Sequence, residues 1–268
     1  MIWSEMKAYL FVAKVRIQSA LAYRFNVIST ISIQCLLMFA MACFWKAAYG
    51  GTGNVSGVGE REMLTYTTIS VIMGNLLTMG VEGRIESSVR SGSVALDMLK
   101  PVNIYGIYLA EDLGDMAVAF FQTAVPLFLI GSALFGLPAP ASSVHVILFL
   151  VSFAVGYLIN WMLAALLGMC AFKTIVMGPI RNVKGFVMKL LSGSVIPLWF
   201  FPDGVRVVLE CLPFVNIYQL PLGIYIGRYT FGEMLLRTVL QLFWCAALWL
   251  IFHAVQKKAA AAVLIQGG

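Results

Sequence analysis

Residues 144–172 read VHVILFLVSFAVGYLINWMLAALLGMCAF, a run without one Asp, Glu, Lys or Arg. About 20 mostly apolar residues suffice to carry a helix across a hydrocarbon core of about 30 Å. This stretch is long enough to cross with tilt or to project beyond the lipid. Outward from it, comparable runs occupy 27–48, 63–81, 109–135, 185–201 and 234–254. Composition agrees, with 61% of residues hydrophobic, 11% charged and a mean hydropathy of +0.91. A soluble domain is about one quarter charged, so lipid is the main solvent of this chain.

The charges then orient it. Lys7, Lys14, Arg16 and Arg24 precede the first run, and Arg84, Arg90 and Lys100 fill the second gap. Lys173, Arg181, Lys184 and Lys189 sit around the fourth gap, and Lys257 and Lys258 follow the last run, making 13 of the 18 basic residues. The other side receives Lys46, Arg61, Arg206, Arg228 and Arg237. Cytoplasmic loops collect Lys and Arg, so both termini are expected in the cytoplasm. The net charge of +6 forms no continuous basic stripe, which argues against nucleic acid as a partner.

Residues 1–24 are interrupted by Glu5, Lys7, Lys14, Arg16 and Arg24 and do not read as a cleavable signal peptide. Ile2, Met6, Leu10, Ala13, Ile17 and Leu21 fall near helical spacing, which predicts an interfacial helix on the inner leaflet. A helix packed on the protein itself is the alternative. The glycine-rich stretch 50–57 and Gly136–Pro140 read as outer turns; the Asn54-Val55-Ser56 sequon matters only in a glycosylating pathway.

Between 197 and 228 the chain stays apolar but is broken by Pro197, Pro202, Pro213 and Pro221 and by Asp203, Arg206 and Glu210. One more crossing there would reverse the tail. Two short helices that enter the outer leaflet and return satisfy both constraints, provided that protein or water covers their irregular backbone. Two further full spans are the alternative.

Catalytic patterns are sparse. The sequence contains no GxxxxGK[ST] phosphate loop, and His145 and His253 lie at opposite ends of the expected topology. Cys35, Cys43, Cys170, Cys211 and Cys245 make no CxxC pair and read as small apolar fillers. Leu191-Ser192-Gly193-Ser194 and Gly223-Ile224-Tyr225-Ile226-Gly227 read as small-residue helix packing. Gln34, Asn75, Thr78, Gln122, Thr123, Asn160 and Gln241 either line a passage or, by the stronger expectation, bond helices together.

Two charged groups stand out. Glu111, Asp112 and Asp115 open the third span; they suit interface electrostatics, pairing with the basic fourth gap, or else ion handling. The second reading would make the chain an ion-coupled secondary transporter. In the second gap, Glu82, Arg84, Glu86 and Arg90 surround the i,i+4 apolar pair Ile85 and Val89, and Leu96 and Leu99 follow. Such a piece suits docking into a groove of a soluble partner; an interfacial connector is the plainer alternative.

Beyond single positions, Arg90-Ser-Gly-Ser-Val-Ala-Leu-Asp-Met-Leu-Lys-Pro101, Tyr108-Leu-Ala-Glu-Asp-Leu-Gly114, Ile196-Pro-Leu-Trp-Phe-Phe-Pro-Asp203, Leu212-Pro-Phe214 and Pro221-Leu-Gly-Ile-Tyr-Ile-Gly227 occur in that order. Together they resemble the permease subunit of type-2 ABC exporters, in the branch with paired permeases. The resemblance implies an all-α integral membrane protein with six transmembrane helices, an interfacial helix over 1–24 and a re-entrant hairpin over 197–228. It also implies a cytoplasmic coupling region over 82–108, in which Glu82, Arg84, Ile85, Glu86, Val89 and Arg90 meet the ATPase. Ser93-Val94-Ala95 departs from the Glu-Leu-type segment common in relatives. Partners would be cytosolic ABC ATPase subunits and a second permease, identical or related, in a prokaryotic cytoplasmic membrane. ATP and Mg would sit on the ATPases, with no cofactor, metal or catalytic site in this chain.

Overall fold

The computed structural model describes residues 2–20, 24–99, 102–174 and 177–266. Leu21, Lys100 and Pro101 lie outside these. The chain runs through α1 (Ile2–Ala20), α2 (Arg24–Tyr49), a two-stranded hairpin of β1 (Asn54–Val55) and β2 (Val58–Gly59), and α3 (Glu60–Leu76). There follow α4 (Val81–Arg90), α5 (Val94–Met98), α6 (Ile104–Ala119), α7 (Val125–Phe135) and α8 (Ser143–Met169). The remainder is α9 (Gly178–Leu191), α10 (Asp203–Glu210), α11 (Gln219–Tyr225) and α12 (Phe231–Gln266). The all-α membrane architecture is as the apolar runs predict. Among the described residues, five segments are long and apolar enough to cross a bilayer: 27–49, 60–90, 104–135, 143–172 and 231–259.

Helix boundaries have local causes. Glu62 Oε2 accepts from the Gly59 N–H at 3.0 Å and fixes the start of α3. The Asn103 side chain accepts from the Tyr105 N–H at 2.9 Å and starts α6. Pro126 has no N–H, and just before it residues 120–124 form a π turn joining α6 to α7. Gly136 ends α7 in the left-handed region at φ +57°, and Arg61 donates twice to its carbonyl.

The core sits around α8 and α3. Tyr157, Ile159, Trp161 and Ala165 of α8 pack with Tyr66, Met73 and Leu77 and with Phe252 of α12. Glycines allow the closest crossings. A Cβ on Gly156 would lie 2.8 Å from the Asn216 carbonyl, and one on Gly168 would lie 2.9 Å from Cα of Glu82. Interior polar side chains tie the helices, as expected for four of them. Gln34 donates to Asn75 at 3.1 Å, Asn160 to the Leu77 carbonyl at 2.8 Å, and Gln241 to the Ser152 and Asn216 carbonyls, each at 2.8 Å. Thr78 instead bonds back to Gly74 of its own segment.

The stretch 185–201 differs from a continuous span. Helix α9 stops at Leu191, where Gly193 turns the chain at φ +78°, and only a short 3-10 turn re-forms over Leu198–Phe200. Fourteen residues of α9 reach about 21 Å. The chain still passes from the α4 end of the bundle to the β-hairpin end, where Phe200 stacks on Trp45 at 5.1 Å. Its open backbone finds protein partners. The single Tyr66 O–H is shared between the Gly193 carbonyl at 2.7 Å and Gln219 Oε1 at 2.9 Å. Ser70 donates to the Ser194 carbonyl at 2.6 Å, the Gln219 N–H to the Ser192 carbonyl at 3.0 Å, and the Leu198 N–H to Gln219 Oε1 at 3.2 Å. Ser192–Ser194 is therefore a helix break whose carbonyls are bonded by protein, where helix packing was expected, although the buried Ser192 hydroxyl itself has no partner. Backbone at this depth persists only when protein replaces water as its partner.

Two other expectations shift. Gly227 is a turn glycine at φ +73° and Gly223 lies against the Tyr229 ring, so this GxxxG pattern serves a turn and not a helix pair. In α1, Ala13, Arg16 and Ile17 turn inward and Ala13 and Arg16 lie against Gly114 of α6, whereas Met6, Leu10, Phe11 and Val15 are exposed with Lys7 and Lys14. The expected stripe is thus divided between protein and the open face.

Candidate functional site

At the end of α3 the helix is interrupted over 77–80 before α4 begins, and this junction, the elbow, is held by charge. Arg84 reaches three carboxylates of α6 at once: Glu111 at 2.6 Å through Nε, Asp112 at 2.6 Å through Nη1 and Asp115 at 2.8 Å through Nη2. Arg16 of α1 adds a longer contact to Glu111 at 3.6 Å. Asp112 is only 1% exposed. It also accepts from the Gly80 N–H at 2.8 Å, the Val81 N–H at 3.2 Å and Trp161 Nε1 at 3.0 Å. A carboxylate from α6 thus caps the N-terminus of α4, where free N–H groups and the helix dipole favour negative charge.

The other face of α4 grips α9. Glu82 meets Lys184 at 3.1 Å and Arg181 at 4.0 Å, and Glu86 pairs with Arg181 and, more loosely, with Arg90 at 3.8 Å. The basic fourth gap therefore pairs with Glu82 and Glu86. Glu111, Asp112 and Asp115, for which that pairing was one option, are engaged by Arg84 and Arg16, because the elbow places Arg84 beside the middle of α6. All three carboxylates point at guanidinium groups.

The structure brings Glu82, Arg84, Ile85, Glu86, Val89 and Arg90 together on one short helix, but it divides their tasks. Ile85 is buried against Gly168 of α8, and Val89 packs on the same core. Arg90 stays exposed at the end of α4. The open apolar surface lies just beyond, on α5, where Leu96 is 68% and Leu99 79% exposed. Ser88 donates to Asp97 at 3.0 Å and ties α5 back to α4. Sequence reasoning missed the Trp161–Asp112 bond, since no local pattern links residues 49 positions apart.

His145 accepts or donates with Ser142 at 2.8 Å, and His253 contacts the Trp249 carbonyl at 3.1 Å, so each is bonded within its own helix or its cap. An apolar cavity of about 270 Å³ opens beside the π turn, lined by Ile72, Met73, Phe120, Phe128, Phe149 and Phe153.

Long apolar helices around a helix break, with a charged elbow at one end, define a multi-pass membrane domain. The chain belongs to the ABC-2 family: the family described as "ABC-2 family transporter protein" matches residues 20–266. Membrane domains of this family work in general with ABC ATPase subunits. A search of curated proteins finds no significant match.

Proposed function

We propose that the chain is a permease subunit of an ATP-driven exporter, crossing a prokaryotic cytoplasmic membrane six times with both termini inside. The fifth pass is the broken one, α9 with the turns up to Phe200. Cytosolic ATPase subunits supply the energy, with ATP and Mg on those subunits, and a second permease, identical or related, completes the pathway. The observation that carries this reading is the elbow. A force on α5 passes to α4, and the Arg84 and Glu82/Glu86 clamps hand it to α6 and α9, while Ile85 carries it to α8. The ATPase contact then centres on Leu96, Leu99 and Arg90, while Glu82, Arg84, Ile85 and Glu86 transmit. ATP-driven closure of the partners biases the spans between two arrangements, since energy enters only through differential contacts.

The test is to co-express the chain with a candidate ABC ATPase and permease from its source, then purify through a tag on this chain. The wild type should retain the ATPase, and Leu96→Glu with Leu99→Glu should reduce the retained amount more than about tenfold, as expected when apolar anchors are replaced by charge. Failure of the wild type to retain any ATPase, or full retention by the double variant, would overturn the reading.

A further inference from the structure

At the end of the bundle away from α4 and α5, three arginines from three different elements face one polar cavity of about 340 Å³: Arg206 of α10, Arg228 of the turn after α11, and Arg237 of α12. Glu210 and Glu233 line the same cavity, so three guanidinium groups face two carboxylates there. Glu210 meets Arg237 at 3.3 Å. Glu233 also accepts from both the N–H and the hydroxyl of Thr230, each at 2.8 Å, and so caps α12. The carboxylate of Asp203 lies 2.9 Å from Arg206 but is 87% exposed, where water screens the pair. Arg228 lies over the Trp199 ring at 4.7 Å and Arg237 over Tyr229 at 4.6 Å, which fixes both guanidinium planes. Each guanidinium carries five N–H donors, and the bonds named here, with those of Arg228 to the Ser56 and Gly57 carbonyls at 3.3 Å, use few of them.

Two further observations point to a ligand. Trp199 is only 6% exposed, lines this cavity, and its indole N–H has no partner. A buried donor left open is costly, so such a group calls for an acceptor. The polar cavity also shares Glu210, Glu233 and Arg237 with a second cavity of about 630 Å³ between α10 and α12. That one is mainly apolar, with Val207, Leu236, Val239 and Phe243 exposed along it.

We infer that this joined pair of cavities binds an anionic amphiphile, with a phosphate-bearing head among Arg206, Arg228 and Trp199 and an apolar chain along the α10–α12 groove. The arginines select the charge, because planar N–H pairs match phosphate oxygens. The groove selects the chain, because it removes hydrocarbon from water or seats it level with surrounding lipid. The site requires only that the protein lie in a bilayer, so it stands apart from ATPase coupling. Its occupant is an anionic phospholipid of the surrounding bilayer.

The test uses the full chain in phosphatidylcholine nanodiscs doped with phosphatidylglycerol, and counts lipids that remain bound by native mass spectrometry after extraction. Phosphatidylglycerol should be retained over phosphatidylcholine. Arg206→Gln should reduce that preference about tenfold, the size of one charge-assisted hydrogen bond. Arg206 suits the test because its partner Asp203 is exposed, so the fold does not rest on it; Trp199→Phe, which keeps the ring and deletes the N–H, is the second variant. Millimolar glycerol phosphate should fail to displace the bound lipid, whereas a soluble amphiphile such as a short-chain phosphatidylglycerol should succeed. Equal retention of both lipids, unchanged preference in both variants, or displacement by glycerol phosphate alone would overturn the assignment.

Discussion

A carboxylate as deeply buried as Asp112 is tolerated only because four donors converge on it: Arg84, Trp161 and the N–H groups of Gly80 and Val81. Burial of a charge is costly, and its removal is costly again once partners have been built around it. Asp112→Ala leaves two backbone donors and an indole without acceptors, and we expect a loss of about 3 kcal/mol. Asp115→Ala removes a carboxylate that is half exposed and contacts Arg84 alone, which should cost less than about 1 kcal/mol. Thermal unfolding of both variants in one detergent measures the difference; equal shifts would remove Asp112 from its place at the centre of the elbow. The cluster of acids was plain in the sequence. Its meaning was not, because Glu111, Asp112 and Asp115 suit a cation site as well as a guanidinium, and only the position of Arg84 decides between them.

At the scale of elements, the approach of α4 to α8 depends on one absent side chain. A Cβ on Gly168 would meet backbone at Glu82, which cannot yield without moving the whole of α4. Gly168→Ala should therefore destabilise by about 1–3 kcal/mol through overpacking. Gly185 in α9 has open space around it, and Gly185→Ala should be neutral or stabilising by about 0.5–1 kcal/mol through helix propensity. Rates of limited proteolysis at α5 provide the readout, since a displaced α4 releases the segment that follows. If both substitutions accelerate cleavage alike, close packing at Gly168 is not what seats the elbow. Periodicity and charge marked α4 as a short helix with a charged surface. That Ile85 faces inward while Leu96 and Leu99 face outward follows from packing on α8, which no local spacing encodes.

For the molecule as a whole, the opposed ends carry different chemistry: α4, α5 and basic α9 at one, the β-hairpin and three arginines at the other. Under the proposed orientation, in a background without native cysteines, Leu99→Cys should react with a membrane-impermeant maleimide only in inverted vesicles. Asp203→Cys should react only in right-side-out ones. Labelling of both from one side would mean that the chain makes an odd number of passes between them fewer or more than proposed. The sequence by itself determined the all-helical membrane class, the short helices of 197–228 and the side toward which basic residues gather. These follow from transfer of side chains between water and lipid, which depends on composition along the chain. Tertiary structure alone decided that 185–201 breaks at Gly193, that Tyr66, Ser70 and Gln219 bond the backbone opened there, and that Arg84 gathers three acids. Those outcomes rest on hydrogen bonds and ion pairs between residues far apart in sequence, whose strength depends on distance and burial and not on neighbours along the chain.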